Sequence, residues 1–508
     1  MTLSLIIGLP LLGALLAGLW PGEKTAKGQA LLVSSLVFLF SLKFYLDFDP
    51  YDGGFQFQQV RDLLPAFGLR YAVGLDGISL WFVLLTAFLT PWITAGSFGE
   101  KHPRHRGFYA CLLAFEAFLI GAFSATDLFL FYLFWVGALL ALYFLLRFFG
   151  GARRVRATLQ FFIFTLAASG LLLAGLLTLA QQAHSLDYTR LFDQYLPEDV
   201  QVWCFIAFGA AFLIVIPLMP FHAWLSDAYA EAPTSGTIFL TALLFPLGVY
   251  GLVRFAIPLF PYGAKSLASW ILLLALAGVW HGGLRAILET DFKRMAAFLA
   301  LSQAGLVTLG IFSFSMMGFQ GALLQTLSLS LSLTAFFLLL GMLADRRGSR
   351  VLENYGGWAR RTPWLAAVFF AAILAVMGAP GSGNFIGGFL VLISAYRTFP
   401  ALALAAIGSF LFSAWCLTAL YGKIFWGPPK AAAKIHDLSL REGLLVLPFL
   451  LLSLFIGFNP GFFLRPMEKS VQLNVLDRLK PPPAMMDFAV QQRRLQDAAN
   501  QDREMHSR

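Results

Sequence analysis

A helix needs about 20 consecutive apolar residues to cross a bilayer, and this sequence supplies such a run about fourteen times. Approximate cores are 3–20, 29–46, 78–98, 109–126, 128–148, 157–180, 203–224, 236–258, 268–288, 293–313, 318–343, 364–394, 400–426 and 443–463. In hydrocarbon the backbone must satisfy its own hydrogen bonds, so each run is read as a helix. The expected fold class is an all-α polytopic membrane protein in contact with the lipid bilayer. Composition agrees: of 508 residues 59% are hydrophobic and 12% charged, with a mean hydropathy of +0.75. A soluble domain of this length does not have that balance.

Two of the runs are interrupted. The stretch from Phe212 to Phe255 starts as an apolar helix and then meets Pro217 and Pro220. Proline removes a backbone donor and clashes with the preceding turn, so the helix breaks there. His222, Trp224, Asp227 and Glu231 follow at once. The run at 364–394 contains Gly378-Ala379-Pro380-Gly381-Ser382-Gly383-Asn384, a second break. Irregular backbone at membrane depth is tolerated where protein or water covers it, which points to an ion or substrate path. Two breaks at corresponding places of two five-helix blocks predict two inverted repeats. The expected division is 1–108 for helices 1–3 and an outer loop, 109–260 for helices 4–8, 261–427 for helices 9–13, 428–463 for helix 14 and 464–508 for a polar tail.

The net charge of +9 fits a positive-inside bias better than nucleic-acid binding. With the N-terminus outside, the inner loops hold about 21 cations and the outer loops about seven, so both termini are expected on the outer side. No cleavable signal peptide is evident; the first run, Leu3 to Trp20, has no basic stretch before it. Cys111, Cys204 and Cys416 lie far apart in apolar runs and read as buried thiols. No Walker, Rossmann, CxxC or haem motif is present, so no nucleotide, flavin, cluster, metal or other cofactor is expected on this chain. Asp127 opens a helix and is read as acting at its N-terminus. His222 and Asp227 are read as helix caps, since further ligands at metal-binding spacing are missing around them. His281 and Arg285 lie one turn apart, and Arg285 with Glu289 makes an i,i+4 pair.

Several fragments in fixed order carry a resemblance. Gly74-Leu75-Asp76-Gly77-Ile78-Ser79 opens span 3, and Asp127-Leu128-Phe129-Leu130-Phe131-Tyr132 opens span 5. Pro217, Pro220, Phe221, His222, Trp224, Asp227 and Glu231-Ala232-Pro233-Thr234 close span 7; Asp291, Lys293 and Arg294 precede span 10. Pro380, Gly381, Asn384-Phe385 and Phe389 lie in span 12, and Asp437 to Glu442 precede span 14. From about residue 70 to 463 the chain resembles the antiporter-like subunits of respiratory complex I, most closely the M type, subunit 4. The resemblance implies fourteen helices, a row of neighbouring membrane-arm subunits as partners, and a file of charged residues at mid-membrane through which protons move. It also implies a non-catalytic subunit of a quinone-reducing assembly in a bacterial cytoplasmic (inner) membrane.

Set against that family, the charged file is missing. The family's span 5 glutamate falls on Val136, its span 6 lysine on Gln160, and its span 7 lysine on Val215. The span 8 lysine falls on Pro246, the histidines of spans 10 and 11 on Gln303 and Leu329, and the span 12 glutamate on Gly388. Proton transfer needs titratable groups or ordered water. The breaks and loop motifs are kept while the costly charges are gone, which reads as a scaffold retained without conduction. Glu116, matching a family glutamate in span 4, remains, with Gln160 and Gln303, as a residual intramembrane polar group.

The leading expectation is therefore a proton-inactive structural or adaptor subunit. Alternatives are a working translocator on an unorthodox path through Glu116, Gln160, Gln303 and water, a subunit of a related assembly such as an inorganic-carbon uptake complex or membrane hydrogenase, and an independent transporter. In the tail, Met467 to Leu479 is expected to form a short interfacial helix, and Asp487 to Arg503 is read as a solvated charged tail, with an arm that contacts a partner as the alternative.

Overall fold

The structure, a computed structural model, describes residues 2–19, 22–64, 69–100, 105–192, 194, 196–428, 430 and 435–480. Among these, twelve helices are long and apolar enough to cross a membrane, and Leu3–Leu19 and Pro363–Met377 are shorter apolar helices. Three form the axis of the bundle: the apolar 18-residue stretch of Thr234–Leu259 is wholly buried, that of Met316–Arg347 94% and that of Phe292–Ile311 89%. Glu23–Leu46 and Leu440–Phe458, at 28% and 33%, lie at the periphery. Lipid is as apolar as leucine, so close packing rather than water exclusion must hold such helices together. Gly282 and Gly305 show how: a Cβ on either would run into backbone of the facing helix, Phe298 and Ser302 for Gly282 and Ala275 for Gly305.

Polar side chains close the helix ends. Asp127 caps Leu128–Phe149 by accepting from Leu130 N at 2.9 Å, as its position predicts. Burial pushes its carboxyl up to about 6 against those backbone bonds. Asp291 caps Phe292–Ile311, and Ser439 with Glu442 forms a capping box on Leu440–Phe458. Arg285 and Glu289 pair at 3.5 Å.

The helical membrane fold is as expected, with one addition that the sequence did not reveal. Gln56–Leu64 and Leu69–Leu75 form an antiparallel hairpin between the second and third helices. Its mixture of glutamine, charge and valine hid the alternation expected of a strand. Ser79–Gly96 begins four residues after its second strand ends.

The chain after the last span folds back on this hairpin end. Gly461–Val471 is helical, and a π turn and a 3-10 turn carry it on to Leu479. Met467, Val471, Val475 and Leu479 are buried. Ser470 Oγ accepts from Gly77 N at 2.9 Å, Asn474 donates to Gly53 O at 3.0 Å, and Lys265 donates to Leu479 O at 2.5 Å. The expected helix is thus present but closes the protein's own core. The charged stretch Asp487 to Arg503 lies outside the described residues. A chain ending after Leu464 is expected to lose several degrees in thermal midpoint even without partners, since each buried aliphatic side chain is worth about 1.5–3 kcal/mol. A chain ending after Lys480 keeps the wild-type midpoint. Equal midpoints for both truncations, read by thermal unfolding in detergent, contradict this packing.

Candidate functional site

The first broken segment runs from Glu198–Val215 to Leu225–Glu231. Pro217 cannot donate to Leu213 O; Leu218 N does so instead, at 2.9 Å. Ile214 O, left over by the break, accepts from the indole of Trp224 at 3.1 Å. Trp224 is therefore a repair for the broken ladder. In the second, Pro363–Met377 ends at Gly378 and Gly383–Thr398 begins past Ser382. Gly378 and Gly381 have φ +76° and +93°, conformations that favour glycine. Asn384 Nδ2 donates at 2.8 Å both to Ala375 O and to Ser332 Oγ, so a side chain again takes the freed carbonyl. Both breaks sit where the prolines put them, and in each a side chain takes up a carbonyl that the break frees.

Between them runs Thr234–Leu259. It winds as π helix over Phe239–Leu244 and Leu252–Ala256, on either side of Pro246. Pro246 has no N–H for Ala242 O, and π turns are a common way for a helix to absorb such a gap. Val215, Pro246, Leu329 and Gly388 are all buried among apolar side chains, while Val136 and Gln160 are half-buried. At Gly388 the space is taken: a Cβ there would strike the tip of the Phe410 ring, which also crowds Gly378. Phe410 thus fills the gap of the second broken segment.

The residual polar groups fall into two sets. Gln303 donates to Ser413 Oγ at 3.2 Å and accepts from Gln325 Nε2 at 3.2 Å; beside them Ser302 Oγ donates to Ser409 Oγ at 3.1 Å. Every member is neutral and buried. The second set is Glu116 and Gln160, which make no such chain. Glu116 is fully buried with both carboxyl oxygens unpartnered, and Gln160 Oε1 is buried and unpartnered too.

At the arginine-rich end, Arg294 pairs with Asp227, and Arg156 lies 3.9 Å from the same carboxylate. Glu231 accepts from Arg153 N at 2.9 Å and faces Arg153 and Arg350 at 3.6 and 3.5 Å; Arg350 also reaches Asp291 at 3.4 Å. These motif residues tie the first broken segment to the starts of Arg154–Ala183 and Phe292–Ile311 and to the turn after Met316–Arg347. Two readings are corrected here. The side chains of His222 and Asp227 do not cap helices: Asp227 is an ion-pair partner, and the His222 ring faces His281. Lys293 is no loop cation but is buried, donating to Ala232 O at 2.9 Å and Thr237 Oγ1 at 3.2 Å. Fixing Lys293 on the loop after the break gives its buried charge two acceptors.

Sequence reasoning missed Arg254. It lies in the last third of Thr234–Leu259, is 1% exposed, and pairs with the buried Asp76. Its guanidinium lies 5.1–5.6 Å from the ring centres of Phe55, Tyr188 and Tyr250. Asn474 donates to the other Asp76 oxygen at 3.1 Å. A lone arginine in an apolar run, right after the uncharged Phe239 to Val253, was the available signal.

Residues 125–413 match the family described as NADH:quinone oxidoreductase/Mrp antiporter, TM. The chain is 35% identical to NADH-ubiquinone oxidoreductase chain 4 of Marchantia polymorpha over 476 residues, 92% of this chain and 96% of that one. It is 35% identical to NADH-quinone oxidoreductase subunit M of Rickettsia conorii over 448 residues, 87% and 91% of the two chains. A chain of respiratory complex I from Thermus thermophilus superposes with a TM-score of 0.87 at 31% identity, covering 94% of this chain and 100% of that one. Those matches, with the two broken segments and the bundle around them, lead to one assignment: this multi-pass membrane protein belongs to the NADH:quinone oxidoreductase/Mrp antiporter family, as an antiporter-like subunit of the M, or chain 4, type.

Proposed function

We propose that this chain is a structural or adaptor subunit in the membrane arm of a complex I-like assembly, with the antiporter-like frame kept and proton conduction lost. Membership in the family makes it a membrane subunit of such an antiporter-type assembly. The observation that carries the loss is Phe410, whose ring fills the space that a side chain at position 388 would need. Val215, Pro246 and Leu329 agree with it, since none can bind a proton or hold water. The amide chain of Gln303 and Gln325 does not replace them. A primary amide donates and accepts hydrogen bonds but does not pass a proton on as histidine or carboxylate does. Neighbouring membrane-arm subunits and lipid are its partners, both termini lie on the outer face of a bacterial cytoplasmic membrane, and the role needs no nucleotide or redox group on this chain. The two five-helix repeats divide as 109–260 and 261–427.

A second reading, a working translocator, draws on Glu116 and Gln160, whose buried unpartnered oxygens are places for ordered water. One experiment separates the two. The full-length chain in sealed vesicles, with an imposed pH gradient or potential, is expected to show no proton or sodium flux above empty vesicles. Adding Val136→Glu with Val215→Lys leaves it silent, because a path needs every relay and these restore two. Flux in the native chain that Glu116→Gln abolishes would establish the second reading instead. Co-purification from native membranes identifies the host assembly.

A further inference from the structure

We infer that His222 and His281 form a two-histidine site for a divalent transition-metal ion, which would pin the first broken segment to the helix Pro261–Leu288. His222 belongs to the irregular turn between Val215 and Leu225, and His281 to Pro261–Leu288, so 58 residues separate them in sequence. Their ring centres are 4.9 Å apart, with the planes at 62°. Imidazole nitrogen binds zinc at about 2.0–2.1 Å, which puts the metal roughly 3.2 Å from each ring centre and two rings sharing one ion roughly 5 Å apart. The observed spacing admits a shared ion, as it does an edge-to-face ring pair, and the test below separates the two. Nδ1 of His222 is buried and has no hydrogen-bond partner, so a nitrogen of this ring is open to a ligand bond. Both rings are half-buried rather than sealed, which leaves a route for an ion.

The neighbouring charge is largely engaged elsewhere. Arg285, one turn beyond His281, faces Glu289 at 3.5 Å and lies over the Phe298 ring at 5.4 Å. No cluster of three or more histidine, cysteine, aspartate or glutamate side chains exists among the described residues. The protein therefore supplies two ligands, and water completes the shell. That makes the ion exchangeable. Imidazole selects copper, nickel or zinc over magnesium or calcium, with Cu(II) the tightest. The bond would join the turn after the first proline break to Pro261–Leu288, whereas Asp227 and Arg294 tie the same segment to Phe292–Ile311.

The test uses the full-length chain in lipid nanodiscs, purified with a tag that contains no histidine, and titrated with Cu(II). Electron paramagnetic resonance is expected to show one tight site with two coordinating nitrogens. His281→Phe keeps an aromatic ring against His222 and is expected to weaken binding about tenfold or more and remove the two-nitrogen pattern. His222→Gln does the same, and metal-free thermal unfolding shows whether each variant is folded. Zn(II) is expected to raise the thermal midpoint of the native chain but not of His281→Phe. If folded His281→Phe binds Cu(II) with unchanged affinity and spectrum, the rings are a packing pair only and the site does not exist.

Discussion

Gly388→Glu, which restores the side chain of the related subunits, is expected to cut the yield of folded protein several-fold and to produce no proton flux. The cause is local. The ring of Phe410 occupies the place where the first atom of any side chain at 388 must go. Overfilling a packed site costs about 1–3 kcal/mol. A charge at mid-membrane adds about 2.5–3.5 kcal/mol on insertion scales, and no cation stands nearby at Pro246 or Val215 to offset it. Phe410→Ala relieves only the first term. The double variant Gly388→Glu with Phe410→Ala should therefore recover part of the yield and remain silent in vesicles. The pair is strongly non-additive, as neighbours in one cavity are. Full yield for Gly388→Glu alone would mean that Phe410 swings aside freely, and the argument from a filled gap would go with it.

That coupling also marks where the sequence stopped being readable. The helices and the two breaks were legible, because proline and glycine act on the residues next to them; their repair by Trp224 and Asn384 was not. Pro217, Pro220 and Pro380 interrupt the ladder wherever they stand, and Asp127 caps the helix it precedes. The missing charges were legible only against relatives, as Val136, Val215, Pro246 and Gly388 in place of titratable groups. What filled the vacated space was not. Phe410 lies 22 residues from Gly388, in another helix, and one phenylalanine among 53 carries no mark of its position. His281 was noticed as a neighbour of Arg285, one turn away, and not of His222, which only the packing of the bundle brings to it. The hairpin went unread because its mixture of glutamine, charge and valine shows no clean alternation. Lys293 was counted with the loop cations because a charge beside a helix start usually meets water, whereas here it reaches two buried oxygens.

Arg254 makes the other large prediction, since its stake is a buried charge rather than a filled gap. Arg254→Met is expected to destabilise the protein by about 3–5 kcal/mol, the cost of leaving Asp76 buried without its partner. Asp76→Asn should cost about as much, because it strands the guanidinium among Phe55, Tyr188 and Tyr250. The aromatic faces soften that loss by about 0.5–2 kcal/mol, which makes Asp76→Asn the milder of the two. The double variant should be less damaging than the sum of the singles, since neither charge is then left alone. Asp76 also accepts from Ile78 N at 3.2 Å and Ser79 N at 3.0 Å, and from Asn474, so its loss loosens the start of Ser79–Gly96 and the C-terminal helix together. Limited proteolysis should then release the segment after Leu464 from Arg254→Met and Asp76→Asn but not from the native chain. Thermal unfolding of the four proteins gives the coupling. Additive losses, with the C-terminal segment still protected, would show that the pair does not hold this end of the bundle, and that hydrogen bonds from Ser470 and Asn474 suffice to seat the last helix.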